Sequence, residues 1–578
     1  MKFPGLKSSL VILCLAVILM FSCNREGTPD FINVDPVIPN QVHMFNAGQV
    51  SLLDGPFSAS MEMEKNYLAS LDVDRLLAPY LREAGLEMKA ENYPGWETTL
   101  PGVALASFMS GASRVYAQTG DTIFLGKLKY ILDELERCQV EADGYLLGCK
   151  GGQALFKKLT EDGYFEGFND GSAGHAVPFY VMDKVFAGLM DVYNICDLPR
   201  ALIIADRLAE WLEEVMKKLS DQAMDEIMKV EYGGMNRVLA EMYILTGKKE
   251  YLRMSERWQD KEVTVPMTRG EDVLTGKHAN TQFPKMAGLA VRYPYTGKST
   301  DLFGAKFFWN RMVNHSSYAT GGNSEGEEFS DPDMLAHTLT QFTEENCNEY
   351  NMLKLTSLLY CVEPEVEYAD YTERTLWNHI LAAQHAHDGR VCYYLPLMPG
   401  AERDYQTLYT VFTCCVCTGM DSYVRHAEYI YAYDDSSLFV NQFIASWVDW
   451  EEQGVRIMQE TDFPNSDIVT LKIESETPSA FRLKIRDPYW LASDMEIKLN
   501  GKLIDTDVRD GYLEISRQWN NGDELELHLP MSVRTESLAG DDKLVALFYG
   551  PILLSGKKRI QFCREQYRTI EQGHKLII

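Results

Sequence analysis

The residues with the most distinctive chemistry are the thiols of Thr413-Cys414-Cys415-Val416-Cys417-Thr418-Gly419, together with Glu345 and Cys347 in the upstream run Glu344-Glu345-Asn346-Cys347. Adjacent cysteines make a poor mutual disulfide, because neighbouring Cα positions strain the bond. Two thiols of the run with the carboxylate of Glu345 and the thiol of Cys347 amount to a four-ligand set for a tetrahedral ion. Thiolates with one carboxylate at that count point to zinc. The same residues also read as buried, reduced cysteines packing as small hydrophobes. On spacing alone both readings stand.

The chain that must position these groups has 578 residues, 46% hydrophobic and 24% charged, the profile of a globular protein of two or three domains. Its net charge of −29 argues against nucleic acid as a partner, which calls for a basic surface. No interior stretch is apolar enough to span a bilayer. At the N-terminus, Lys2 and Lys7 precede an apolar run from Val11 to Phe21 and then Ser22-Cys23. That pattern is an export signal. Its Leu19-Met20-Phe21-Ser22-Cys23 ending resembles a bacterial lipobox, in which Cys23 would carry the lipid; an uncleaved anchor is the alternative. The expected address is the periplasm or the outer membrane, with membrane contact only through this anchor. Outside the cytoplasm exposed thiols tend to pair, so Cys347, Cys414, Cys415 and their fellows need burial or a metal to stay reduced.

Four segments follow: a signal peptide over 1–23, a linker over 24–44, a helical domain over 45–433 and a β domain over 434–578. The helical part repeats. Ala187-Gly188-Leu189 to Tyr193, Leu239-Ala240 to Tyr243 and Ala287-Gly288-Leu289 to Tyr293 recur at about fifty residues. Thr246-Gly247, Thr296-Gly297 and Thr119-Gly120 follow their tyrosines at one offset, as helix C-caps do. Such a period implies stacked helical hairpins, closed into an α/α toroid around one funnel or left open as a solenoid; the irregular, Trp- and Tyr-rich loops favour the ring. After Asp434 short alternating runs such as Ile468 to Ile473 and Phe481 to Ile485 predict antiparallel strands of a β-sandwich. Asn500-Gly501 marks a tight hairpin.

Polar clusters punctuate the helical part: Gly321-Gly322-Asn323-Ser324-Glu325-Gly326-Glu327-Glu328, His278-Ala279-Asn280-Thr281-Gln282, Glu373 ahead of Trp377-Asn378-His379, and Tyr393-Tyr394 with Trp96. Carboxylates, amides and aromatic rings in a funnel suit a sugar. Each cluster alone also reads as a solvated loop or a helix cap.

In order along the chain, Thr320-Gly321-Gly322-Asn323-Ser324 with Glu327, Glu345-Asn346-Cys347-Asn348 running into Tyr350-Asn351-Met352-Leu353, and Cys414-Cys415 resemble the zinc-cysteine β-L-arabinofuranosidases of glycoside hydrolase family 127. Gly233-Gly234-Met235-Asn236 and the His278 run support the likeness, which extends from about Phe45 to Pro551. The resemblance implies an (α/α)6 barrel followed by a C-terminal antiparallel β-sandwich, a carbohydrate substrate, and retaining release of a terminal β-L-arabinofuranose or related sugar. It implies Cys414 as thiolate nucleophile, Glu327 as acid/base, and Zn2+ on Glu345, Cys347, Cys414 and Cys415. His278, Gln282, Glu373 and Tyr393 fall at sugar-holding positions. A related glycosidase on another pectic sugar, and a sugar-binding lipoprotein with structural zinc, remain alternatives. The chain departs from the pattern at Cys417, where relatives carry glycine, at Asp183 for histidine and at Arg237 for glutamate. Arg237 would suit a substrate carboxylate or a surface salt bridge. Oligomeric state is not legible.

Overall fold

The computed structural model describes residues 31–162 and 177–555; Cys23 and the expected signal peptide lie outside them. Among the described residues, six helices form a closed circuit: Val103–Thr119 (α1), Pro178–Cys196 (α2), Met235–Thr246 (α3), Gln282–Thr296 (α4), Asn346–Val362 (α5) and Cys414–Ser422 (α6). Each packs on the next, and α6 returns to α1. Thr122–Glu141, Pro199–Met216, Lys249–Arg257, Ser299–Arg311 and Val366–Thr375 follow α1 to α5 and pack against the helix they follow, as a second layer.

Side-chain size explains which layer is inside. In α1 every residue from Val103 to Val115 except Ser107 is buried, and a helix of small and apolar residues all round is one enclosed on every side. Thr122–Glu141 instead buries one stripe, including Phe124, Leu128, Ile131 and Leu135. The repeated Ala-Gly-Leu motif has a packing role: a Cβ on Gly288 would come within 2.3 Å of the Asn236 side chain of α3. Gly120, Gly247 and Gly297 end α1, α3 and α4 at φ of 68°, 74° and 67°, each donating its N–H to the carbonyl of the expected tyrosine.

The β part is two facing sheets. One runs His43–Met44, Tyr431–Tyr433, Ser437–Val440, Ser479–Arg486, Tyr512–Trp519, Val508–Arg509. The other runs Lys502–Ile504, Glu496–Leu499, Glu524–His528, Ile468–Ser475, Val455–Thr461, Ser446–Trp450, Val50–Leu52. Alternate residues such as Val455, Ile457, Leu471, Ile473, Leu483 and Ile485 are buried in the shared core. Asn500 and Gly501 turn the expected hairpin with φ of 50° and 76°, the double left-handed signature of a tight type I′ turn. Two features differ from expectation. Strands 43–44 and 50–52 come from before the helical part, because two or three residues are too few to show alternation. Ser437–Val440 pairs with Ser479–Arg486 in parallel, because the chain crosses to the other sheet between them. A third sheet, Val533–Leu538, Asp541–Tyr549 and Ile552–Leu553, lies beside Arg374 and Asn378.

The helical and β parts are joined by buried charge. Arg486 donates to Glu373, to Asp370 at 2.6 Å and to the Asn441 carbonyl at 2.6 Å, and Trp490 Nε1 donates to the second Glu373 oxygen at 2.6 Å. Glu373 is 1% exposed. This departs from its expected sugar-holding role: both carboxylate oxygens are taken up by Arg486 and Trp490 where the helical and β parts meet. Removing one partner of a buried pair strands the other charge at a cost of about 3–5 kcal/mol. Glu373→Ala is expected to lose stability on that scale in urea unfolding with KM unchanged; a raised KM at unchanged stability would return the residue to the sugar site.

Candidate active site

The thiols sit at the starts of two circuit helices. Cys414 and Cys415 open α6, whose first turn is capped by the Thr413 hydroxyl accepting from Val416 N–H. Glu345 occupies the N-cap of α5 and Cys347 its first turn. Both helices present the positive end of their dipole to the cluster, which favours anions there. Cys347 Sγ lies 3.3 Å from Cys415 Sγ, and Cys414 Sγ lies 3.9 Å from Cys415 Sγ and 3.5 Å from Glu345 Oε1. These separations are far beyond a disulfide bond of about 2.05 Å. They are close to the edge of about 3.8 Å that a tetrahedron with metal–sulfur bonds of about 2.3 Å would have. One ligand atom from each of Glu345, Cys347, Cys414 and Cys415 falls within 4.8 Å of all the others.

The electrostatics call for a cation. All four side chains are buried, and Glu345 Oε2 has no hydrogen-bond partner. Burial, then the neighbouring Cys414, pushes the Glu345 carboxyl well above its usual range. The Cys414 thiol is pushed up by its hydrogen bond with Cys347, and the Cys415 thiol by burial. Cys347 feels the same burial, but hydrogen bonds from Cys414 and Cys415 bring it down to about 7. Four such groups cannot ionise together without a compensating charge, and the donor set fits a metal ion. Cys417 is turned away: its thiol points to the Phe412 carbonyl at 3.5 Å, and it is not among the four grouped donors.

Glu327 faces this cluster. The Tyr393 hydroxyl donates to Glu327 Oε1 and lies 3.4 Å from Cys414 Sγ, so one oxygen spans carboxylate and thiol. His278 Nε2 lies 3.6 Å from Glu327 Oε2. That contact, then Tyr393, draws the Glu327 carboxyl below its usual value against the opposing effect of burial. Burial would lower His278, but the bond to Glu327 outweighs it and raises the imidazole above its ordinary value. The neighbours Glu325 and Glu328 do not compete: Glu325 accepts from Thr340 at 2.9 Å and Glu328 is exposed.

The loops carrying these groups are held from behind. Asn323 donates through its backbone and side chain to Glu349 Oε1 at 3.0 and 2.9 Å. His379 lies 3.2 Å from Glu349 Oε2 and 3.6 Å from Glu344 Oε2, and Thr320 bonds Glu344. Ser324, Glu327, Glu344 and Phe412 all have left-handed φ, at 77°, 71°, 60° and 45°. Non-glycine residues hold such angles only where the surroundings impose them, and here the four flank the ligand and carboxylate positions.

Of the expected sugar-holding residues, His278 and Tyr393 line the site. Gln282 braces it, its side-chain N–H donating to the His278 carbonyl at 2.9 Å, and Glu373 lies elsewhere. Asp183 and Arg237, the two departures, face each other at 3.4 Å. Arg237 also pairs with Glu241 at 2.7 Å, so it is a buried ion-pair partner and not a surface one. Sequence reasoning passed over Tyr180, whose phenol is buried within electrostatic reach of Cys414 and Cys347, and Glu231, close enough to affect Glu345. Both lie at or just ahead of a circuit-helix start, the position shared by Glu345, Cys414 and His278. That position was the signal available.

Residues 49–428 match the profile of the β-L-arabinofuranosidase GH127 catalytic domain and residues 437–531 that of the GH127 middle domain. A non-reducing end β-L-arabinofuranosidase of Bifidobacterium longum subsp. longum is 25% identical over 445 residues, covering 67% of this chain; the chain spans 65% of that protein's length. Among solved structures, a GH127 β-arabinofuranosidase superposes with a TM-score of 0.73 at 19% identity, over 89% of this chain and 85% of its own. A GH127 β-L-arabinofuranosidase from Geobacillus stearothermophilus T6 does so with 0.70 at 20% identity, over 87% and 86%. At that identity the structural likenesses speak for the fold. Because the catalytic-domain match alone spans well over half of its residues, this chain belongs to the GH127 β-L-arabinofuranosidase family.

Proposed function

We propose that the protein is a retaining exo-glycosidase that releases a terminal β-L-arabinofuranose, or a related sugar, from plant-type glycans. The observation that carries this reading is the Tyr393 hydroxyl in contact with both Glu327 and Cys414. Two groups bridged by one oxygen are no further apart than two hydrogen-bond lengths, which suits the roughly 5–5.5 Å of a double-displacement pair. The closed circuit of helices is read as an (α/α)6 barrel, its helix starts forming the floor of the funnel. The signal pattern ending at Cys23 is read as that of an exported lipoprotein, which radiolabelled palmitate would test.

Glu345, Cys347, Cys414 and Cys415 would hold zinc, and zinc when bound keeps thiols ionised near neutral pH. The chain's own groups do the rest. Cys414 Sγ attacks the anomeric carbon as the bond from that carbon to the leaving oxygen breaks. The proton held between the His278 imidazolium and Glu327 passes through Glu327 to the leaving oxygen. Water entering from the same side then gives its proton to Glu327 and its oxygen to the anomeric carbon, and the carbon–sulfur bond breaks. Two displacements at one carbon retain its configuration. Tyr393 orients both reacting groups, and the backbone of Glu327 is fixed by Ala279 N–H donating to its carbonyl at 2.7 Å.

Cys414→Ser is expected to abolish hydrolysis of an aryl β-L-arabinofuranoside, while Cys417→Gly stays active. The reverse pattern would identify the wrong thiol. Glu327→Gln is expected to cost about 10²–10⁴ in kcat on poor leaving groups and much less on good ones. Azide should partly restore its second step, because azide brings no proton to remove. Equal loss on both substrates without azide rescue would move the acid/base role to another residue.

A further inference from the structure

The aromatic rings that begin at the thiol continue outward in a row. Tyr393, whose hydroxyl meets both Cys414 and Glu327, packs on Tyr394 with ring centroids 4.8 Å apart. Tyr394 in turn meets Phe342 edge to face at 5.6 Å. Exposure rises along the row: Tyr393 and Tyr394 are half-buried, and Phe342 is 47% exposed. A single exposed aromatic ring is ordinary on a protein surface. This one is set apart by what fixes it and by what lies beside it.

Phe342 is tied to the loop that carries Glu327. Its carbonyl accepts from Gly326 N–H at 3.0 Å, and its own N–H donates to Thr340 Oγ1 at 3.0 Å. That threonine donates to Glu325 Oε1 at 2.9 Å. Glu325 and Thr343 form an antiparallel bridge, and Glu344 N–H donates to the Ser324 carbonyl at 3.1 Å. Residues 324–326 and 342–344 are thus a short ladder with Glu327 at its end. Gly326 lies between the exposed ring, to which it is hydrogen-bonded, and Glu327, which follows it in the chain. Among the described residues, a Cβ built on Gly326 would meet no atom within 4 Å. An open position therefore separates the carboxylate from a ring whose backbone is already fixed, and a fixed ring loses little freedom when a ligand covers it.

We infer that Phe342, backed by Tyr394, binds the second sugar of the glycan, the one to which the terminal residue is attached, with the C–H face of that sugar lying on the exposed ring. In the proposed chemistry the terminal residue stands between Cys414 and Glu327, and Glu327 passes the proton to the oxygen that leaves. Whatever that oxygen belongs to lies beyond Glu327 as seen from Cys414, which is the side of Gly326 and Phe342. A flat apolar surface there suits a sugar ring, and a leaving group without a ring would leave it uncovered. This inference rests on the glycosidase reading and adds to it a preference for what the terminal residue is attached to.

The test uses the metal-loaded protein with two substrates that share the terminal residue: methyl β-L-arabinofuranoside, whose leaving group has no ring, and β-L-arabinofuranosyl-L-arabinose. The quantity read is the ratio of kcat/KM on the disaccharide to that on the methyl glycoside. Phe342→Ala is expected to lower this ratio by roughly three- to tenfold, the scale of one aromatic contact, and Phe342→Trp, which keeps a flat face, to hold it near the wild-type value. A ratio unmoved by Phe342→Ala, including one that conceals an equal loss on both substrates, overturns the inference and leaves the ring a brace of the Glu327 loop. A ratio that falls as far in Phe342→Trp also overturns it. If Phe342→Ala does not fold, Phe342→Leu replaces it, with the same expected fall. If wild type hydrolyses neither substrate, the glycosidase reading fails, and calorimetric titration with the disaccharide decides the present one. Binding by wild type that weakens in Phe342→Ala upholds it; no binding, or equal binding, overturns it.

Discussion

The constraint on which the site depends is the repulsion among four acidic donors packed into a dry pit. Glu345, Cys347, Cys414 and Cys415 are buried and mutually within 4.8 Å, and among the described residues no cationic side chain joins them. Like charges at such distances cannot all ionise in a medium of low dielectric. Two helix starts relieve part of this, since α5 and α6 aim their positive ends at the cluster, but partial charges near half a unit do not balance several full ones. A divalent ion would. On the proposed reading the thiols would then be nucleophilic without a dedicated base, which fits the described surroundings of Cys414: a carboxylate, a phenol and other thiols, and among the described residues no histidine in contact with it.

The rest of the architecture follows from holding those donors still. Glu345 and Cys347 come from one helix, Cys414 and Cys415 from another, Glu327 and His278 from loops between, and Tyr393 from a segment joining them. Groups from such distant parts of the chain stay in register only on a rigid frame, and the closed circuit of buried helices supplies it. The left-handed residues Ser324, Glu327, Glu344 and Phe412 show where the frame imposes its geometry on the loops. Behind them His379 lies between Glu344 and Glu349, tying the Glu327 loop to the start of α5. The β part contributes from a distance: Arg486 reaches across to Glu373 and Asp370, and so fixes the helix that follows α5.

Local rules made much of this readable in the sequence. Tyr-x-x-Thr-Gly at a fifty-residue spacing gave the helix ends, and Asn500-Gly501 gave the hairpin, because caps and tight turns depend on a few adjacent residues. The four cluster donors were legible because adjacent thiols make a poor mutual disulfide and, with a carboxylate and a thiol two residues apart upstream, amount to a tetrahedral donor set. Glu373 was misplaced because its partner Arg486 is 113 residues away, and no local signal distinguishes a carboxylate that binds a sugar from one that closes an interface. Asp183 and Arg237 stood out as separate departures; that they face each other is a fact of tertiary structure, from positions 54 residues apart.

The central claim is that Glu345, Cys347, Cys414 and Cys415 together ligate one metal ion. X-ray absorption at the zinc edge of the protein as purified tests it most directly, because the fine structure counts ligand types and measures their distances. The account predicts one zinc per chain with three sulfur ligands at about 2.3 Å and one oxygen at about 2.0–2.2 Å. A first shell of nitrogen and oxygen without sulfur, or fully active protein free of metal, would contradict it.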